Sequence, residues 1–270
     1  MIARSVVAVA CVSLLASGCG HSTSAAPCGV LNVNECKVFG SDIVPRKPGS
    51  FGLSDLTTIK ADVPTGVALR VTYPARSSSP TSHRRYDNPT GGAQVYLPFR
   101  TGSVDEQWLA YQVKFRKGFD FVRGGKMPGF YGGTMTSGGK IPDGTNGLST
   151  RLMWRTAGAG EVYAYLPSSV THGTEFGKGN WNWPTNVWVK VQQHVKLNTP
   201  GKKDGSIRVY INGRQTLDQE DLVFRTTKTL QIEGVFFSTF YGGDDPTWGP
   251  KHTQHADFAA FQVSPTRPEE

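Results

Sequence analysis

The chain has 270 residues, 29 lysines and arginines against 21 aspartates and glutamates, and a formal net charge of +8. Its 32 glycines and 17 prolines, with few windows showing an apolar period of 3.6 residues, exclude a mainly helical protein and fit one large β domain. The cations are scattered and no nucleic-acid motif is present, so the basic balance points to an acidic polysaccharide rather than nucleic acid.

The N-terminal MIARSVVAVACVSLLASGCG reads as an export signal: Arg4, a short apolar run, then small residues before Cys19. The run is too short to span a bilayer in the mature protein. Its end, LLASGC, resembles the lipobox of bacterial lipoproteins, with Ala16 where leucine is favoured. Residues 1–18 are therefore expected to be removed and Cys19 lipidated. The protein is then exported and meets the membrane only through its lipid; cleavage near Ser24–Ala26 and free secretion is the alternative. Residues 19–50, rich in Ser, Ala, Pro and Gly, are expected to form a tether, and residues 51–270 the domain. Cys28 and Cys36 lie in a chain bound for an oxidising compartment and are expected to pair locally. Without clustered histidines they give no metal-site spacing.

Strand-like alternation begins at Ala68–Tyr73, and a polar loop punctuated by proline, PARSSSPTSHRRYDNPTGG, follows. Further strands are predicted at Ala93–Pro98, Glu106–Phe115, Leu148–Arg155, Val162–Leu166, Val187–Leu197, Ser206–Ile211, Thr229–Phe240 and Ala256–Val263. Turns rich in Gly, Asp and Asn separate them. This spacing predicts one antiparallel β-sandwich of jelly-roll type with a concave groove, and a monomer.

Two strand pairs have informative parity. In GLSTRLMWRTAGAGEVYAYLP, Ser149, Arg151 and Arg155, then Glu161, Tyr163 and Tyr165, take one face, while Leu152, Trp154, Val162, Ala164 and Leu166 take the other. In WVKVQQHVKLN, Val189, Val191, Val195 and Leu197 face a core, and Lys190, Gln192, His194 and Lys196 face away. That second polar face reads either as a solvated surface or as a glycan cradle, with Lys190, Gln192 and His194 as candidate substrate contacts. Tyr131 and Tyr241, each beside a glycine pair, are candidates for stacking on a sugar ring, against simple packing.

Paired carboxylates on one strand face, which glycoside hydrolysis needs, are missing. Asp244–Asp245 sit in a turn, and Asp218, Glu220 and Asp221 in a polar connection. No G-x-S-x-G elbow occurs, and Ser149 has no nearby histidine. Arginine, lysine and tyrosine remain, a set suited to β-elimination on a uronic acid. A cation neutralises the C6 carboxylate so that the C5 proton becomes removable, and a phenol handles protons at C5 and O4.

The segments GGKMPGFYGG (124–133), GLSTRLMWR (147–155) and EVYAYLP (161–167) resemble polysaccharide lyase family 14, the alginate and glucuronan lyases of jelly-roll fold. The pieces at 179–214 and 236–245 do so as well, and the similarity runs in order over roughly residues 65–263. The resemblance implies a catalytic set of Lys126, Ser149, Arg151, Tyr163 and Tyr165. Arg151, with Lys126, would neutralise the carboxylate; one tyrosine would move protons; Ser149 would hold a substrate hydroxyl or a tyrosine. No metal or organic cofactor is implied. Some relatives carry a groove histidine between the lysine and the Ser-x-Arg strand; TMTSGGKIPDGTN has none here, which leaves His172 or His194 as substitutes. The competing expectation is a non-catalytic lipoprotein that binds acidic glycan.

Overall fold

The computed structural model describes residues 33–43 and 46–269. The expected signal segment, the lipidation site Cys19 and the cysteine Cys28 lie outside them. Cys36 is disulfide-bonded.

Helix α1 spans Val33–Phe39 and α2 Pro80–Tyr86. Fifteen strands lie among the described residues. The first seven are β1 Arg46–Phe51, β2 Leu56–Lys60, β3 Val67–Tyr73, β4 Ala93–Pro98, β5 Glu106–Phe115, β6 Gly124–Met127 and β7 Gly129–Gly133. Next come β8 Gly147–Arg155, β9 Gly160–Tyr165, β10 Thr174–Phe176 and β11 Val189–Lys196. The last four are β12 Gly205–Ile211, β13 Arg214–Leu222, β14 Gly234–Thr239 and β15 Gln254–Ser264. Paired antiparallel, they build a jelly roll of two sheets. One has the order β1-β4-β14-β7-β8-β9-β10, with β6 also paired to β8; the other runs β13-β12-β11-β5-β15-β3-β2.

The period of two seen in the sequence becomes the sandwich core. Val95 and Leu97 of β4, Leu152 and Trp154 of β8 and Val162 and Ala164 of β9 pack against Tyr111, Val113 and Phe115 of β5. Val189, Val191 and Val195 of β11 and Phe258 of β15 complete that layer. One polar pair crosses this interior. Gln193, at an inward position of β11, donates to the Thr150 carbonyl at 2.6 Å, and the Thr150 hydroxyl donates to the Gln193 side-chain oxygen at 3.3 Å. Buried amides must find such partners.

Three regions differ from expectation. Residues 33–43 and 46–50, assigned to the tether, are part of the domain: α1 packs on β15 and β3, Val38, Phe39 and Ile43 are buried in the core, and β1 pairs with β4. A seven-residue helix is too short to show a period. The polar loop after β3 contains α2, started by the Ser79 hydroxyl accepting from the Ser82 amide with Pro80 in the first turn. Asp218, Glu220 and Asp221 lie on β13, where Asp218 and Glu220 pair with Arg208 of β12.

Candidate active site

The outward face of the eight-stranded sheet carries a groove of about 820 Å³ lined by Lys126, Arg151, Met153, Arg155, Tyr163 and Tyr165, among others. Register explains why they meet. Arg151 lies opposite Tyr163, and Met153 opposite Glu161, across β8 and β9. From the other side of β8, Lys126 of β6 lies opposite Met153. The three strands thus place two cations and a tyrosine at neighbouring positions of one face, with Tyr165 one step along. Close backbone approach is part of this arrangement. A Cβ on Gly129 of β7 would lie 2.6 Å from the Arg151 Cα, so that position accepts only glycine. Gly129 and Gly132 are residues of β7.

Arg151 is 1 % exposed and has no carboxylate partner among the described residues. Its Nη1 donates to the Ser238 hydroxyl at 3.1 Å, its guanidinium lies 4.9 Å from the centre of the Phe236 ring, and its Nε has no hydrogen-bond partner. The Ser238 hydroxyl in turn donates to the Gln94 side-chain oxygen at 3.2 Å. Burial lowers the Arg151 pKa, yet a guanidinium stays charged at any ordinary pH. Lys126 Nζ sits 3.5 Å from the centre of the Tyr163 ring and 2.8 Å from Met153 Sδ. Burial, then the charges of Arg151 and Arg155, hold its pKa well below the usual lysine range. Arg155 differs, since Glu161 at 2.7 Å and Glu175 neutralise it. Glu161 is fully buried, and burial raises its pKa.

Each tyrosine hydroxyl oxygen accepts one backbone N–H, from Gly173 to Tyr163 and from Gly139 to Tyr165, both at 3.0 Å. Two loops, 134–146 and 167–173, therefore reach over the groove and aim the phenols. The two hydroxyls also interact with each other across the groove. Burial raises the Tyr163 pKa. Among the described residues no cluster of His, Cys, Asp and Glu has the arrangement of a metal site.

Of the sequence-predicted set, Lys126, Arg151, Tyr163 and Tyr165 come together on the groove. Ser149 does not line it: fully buried, it donates to the Thr136 carbonyl at 2.6 Å and so anchors the loop whose Gly139 meets Tyr165. Tyr131 is buried behind the groove floor against Tyr96 and Phe236. Tyr241 belongs to the core, stacked on Phe119 with its hydroxyl donating to the Asp120 carbonyl. Neither presents a ring to a sugar. Lys190, Gln192 and His194 lie on the outer face of the other sheet, across the sandwich. There Gln192 donates to the Pro268 carbonyl at 2.7 Å and accepts from Arg267, and Lys190 donates to the Glu269 carbonyl. His194 pairs with Glu106 at 2.8 Å and stacks on Trp108. Parity shows which side of its own sheet a residue takes, but not which sheet holds the groove. Of the two candidate histidines, His172 lines the groove and His194 does not. Sequence reasoning missed Gln94 and Ser238, which hold Arg151, and Arg84 on the rim-forming α2; only the Ser79–Pro80 helix start gave a signal.

The sequence model of the family Polysaccharide lyase 14 matches residues 62–261. The solved PL-14 alginate lyase from Aplysia kurodai is 31% identical, with a TM-score of 0.70 over 82% of this chain and 90% of that one. The alginate lyase Aly36B is 25% identical, with a TM-score of 0.67 over 82% and 88% of the two chains. Exolysin of Paramecium bursaria Chlorella virus 1 is 25% identical over 223 residues, which is 71% of this chain and 32% of that protein, so the chain spans about a third of that relative's length. With the family model covering most of the sequence and the same fold in relatives matched over nearly their whole length, the chain belongs to polysaccharide lyase family 14.

Proposed function

We propose that the protein cleaves a uronic-acid polysaccharide, such as alginate or glucuronan, by β-elimination. The observation that carries this reading is Arg151, a buried guanidinium in a groove with no acidic partner among the described residues. A buried charge without a counter-charge is costly, and a uronate carboxylate supplies the missing one, in a bidentate geometry that suits arginine. The same carboxylate returns Lys126 toward its charged form, since burial beside two cations is what discourages that charge.

With the C6 carboxylate neutralised, the C5–H bond breaks toward a base, C4=C5 forms, and the C4–O4 bond breaks as an acid delivers a proton to O4. Tyr163, held protonated by burial, is the acid. Tyr165, whose oxygen accepts the Gly139 amide, is the base: it first gives its own proton to solvent, the phenolate is held by that N–H and by nearby Arg151, and it becomes the neutral phenol as it takes the C5 proton. Ser149 and Ser238 position these groups from beneath the groove, and Gln94, which lines it, holds Ser238. Support also comes from the alginate lyase activity named for the Aplysia kurodai and Aly36B relatives. The export signal read at residues 1–18 favours action outside the cytoplasm.

The test is to incubate the purified protein with alginate, glucuronan and a neutral glucan while following near-ultraviolet absorbance of the unsaturated 4,5-ene product. Absorbance should rise with a polyuronate and stay flat with the neutral glucan. Binding of every polyuronate without any rise would sink the proposal and favour a glycan-binding role.

A further inference from the structure

A second cationic trough, of about 350 Å³, lies on the outer face of the seven-stranded sheet, on the opposite side of the sandwich from the groove. Trp188, immediately before β11, forms part of its wall, with its ring partly exposed. Since Val189 points into the core, strand parity turns Trp188 outward. Lys114 of β5 brings its ammonium to 6.0 Å from the Trp188 ring centre, and Lys60 at the end of β2 and Arg116 after β5 complete the rim. Asp257 lies beneath, 1 % exposed. Its two oxygens are taken up by Arg70, at 2.8 and 3.0 Å, and by Arg116 at 3.5 Å. Neither Lys60 nor Lys114 has an ion-pair partner among the described residues. Nearby His255 registers the positive field: burial, then Arg70, oppose its protonation.

We infer that this trough is a second binding site for an acidic polysaccharide, separate from the groove. An indole face accepts the C–H side of a sugar ring, and free ammonium groups beside it accept carboxylates. A flat anionic membrane fits less well. Trp188 stands in a wall rather than on a protrusion, and Asp62 on the rim repels a continuous negative surface, whereas a polymer with carboxylates spaced by sugars passes it. The choice of ligand rests on the uronate reading of the groove. Because the two sites lie on opposite sheets, one polymer molecule can be held at the trough while another segment is cut, which keeps the protein on its substrate by raising local concentration.

The experiment uses the full chain carrying Tyr165→Phe, so that polymer is not consumed, with Lys60→Glu/Lys114→Glu or Trp188→Ala added. Migration is measured in gels containing alginate or a neutral glucan, with melting temperature as a control for folding. Each addition should weaken alginate retardation about ten-fold in apparent affinity and leave migration in the glucan gel unchanged. With Tyr165 intact, the double lysine variant should turn over a short alginate oligosaccharide at the wild-type rate and lose efficiency on the polymer. Unchanged alginate retardation, or a loss confined to binding of phosphatidylglycerol vesicles, overturns the inference. If wild-type protein cuts no polyuronate yet the substitutions release it from alginate gels, the lyase reading falls and the trough stands.

Discussion

Two polar strand faces, nearly alike in sequence, have opposite fates in this molecule. The face of β8 and β9 holds Arg151, Tyr163 and Tyr165; the outer face of β11 holds Lys190, Gln192 and His194. On β11 the charges find partners within the chain: Glu106 meets His194 Nε2, although Nδ1 has no hydrogen-bond partner, and the C-terminal residues 267–269 cover Gln192 and Lys190. On β8 Arg151 is buried without an acid among the described residues, and Lys126 is held away from its charged form. The contrast teaches that the mark of a site is an electrostatic demand left unmet within the chain, rather than polarity on a strand face.

The sharpest way to break that contrast is to remove the demand. Tyr165→Phe should lower turnover of a polyuronate by about 10²–10⁴-fold, the range for losing a general base. Arg151→Ala should lower kcat/KM by about 10²–10³-fold, and Arg151→Lys should not restore it, because lysine lacks the planar fork. Absorbance kinetics check all three; near-wild-type rates for Tyr165→Phe and Arg151→Ala would remove the site assignment.

Lys126→Met should abolish activity and stabilise the fold by about 1–3 kcal/mol, by removing a buried amine that folding discourages from holding its proton. The sign follows from linkage. The folded pKa is lowered, so between that value and the usual lysine range the unfolded chain binds the extra proton, and wild-type stability rises with pH. The Met variant should show a flatter rise over that window in denaturant titrations below about pH 10, where tyrosines begin to ionise. The smallest effect belongs to the β11 face. His194→Gln should leave turnover unchanged. Its folded pKa is lowered, chiefly by burial, so wild-type stability is full above about pH 6.5 and declines on acidification. The variant should lose part of that decline in melting curves from pH 7 to pH 5.

Where period two was strong, sequence and structure agree residue by residue: Leu152 and Trp154 are core, Arg151 is groove. Around Lys126 the pattern was unreadable as strands. Gly129 and Gly132 serve close backbone contacts with Thr150 and Gln231, and their neighbours are buried on both faces. The core positions of Val38 and Phe39 were hidden because seven helical residues give no period. Gln94 and Ser238 were invisible as site residues because their role depends on β4 and β14 lying side by side, a pairing between segments more than a hundred residues apart.

The Gln193–Thr150 pair determines more than a fraction of the core's cohesion. A strand such as β8 has a competing arrangement, shifted by one residue, in which Leu152 and Trp154 face water and Arg151 faces the interior. Hydrophobic side chains disfavour that arrangement by degree. The directional contact adds about 1–3 kcal/mol against it, because the shift takes Thr150 away from Gln193 and leaves a buried amide to find another partner. A glutamine on the far sheet thus acts as a phase lock for the arginine on the near one. A Gln193→Leu variant that folds more tightly yet loses the uniqueness of its groove would show how a reaction centre depends on a contact that never sees the substrate.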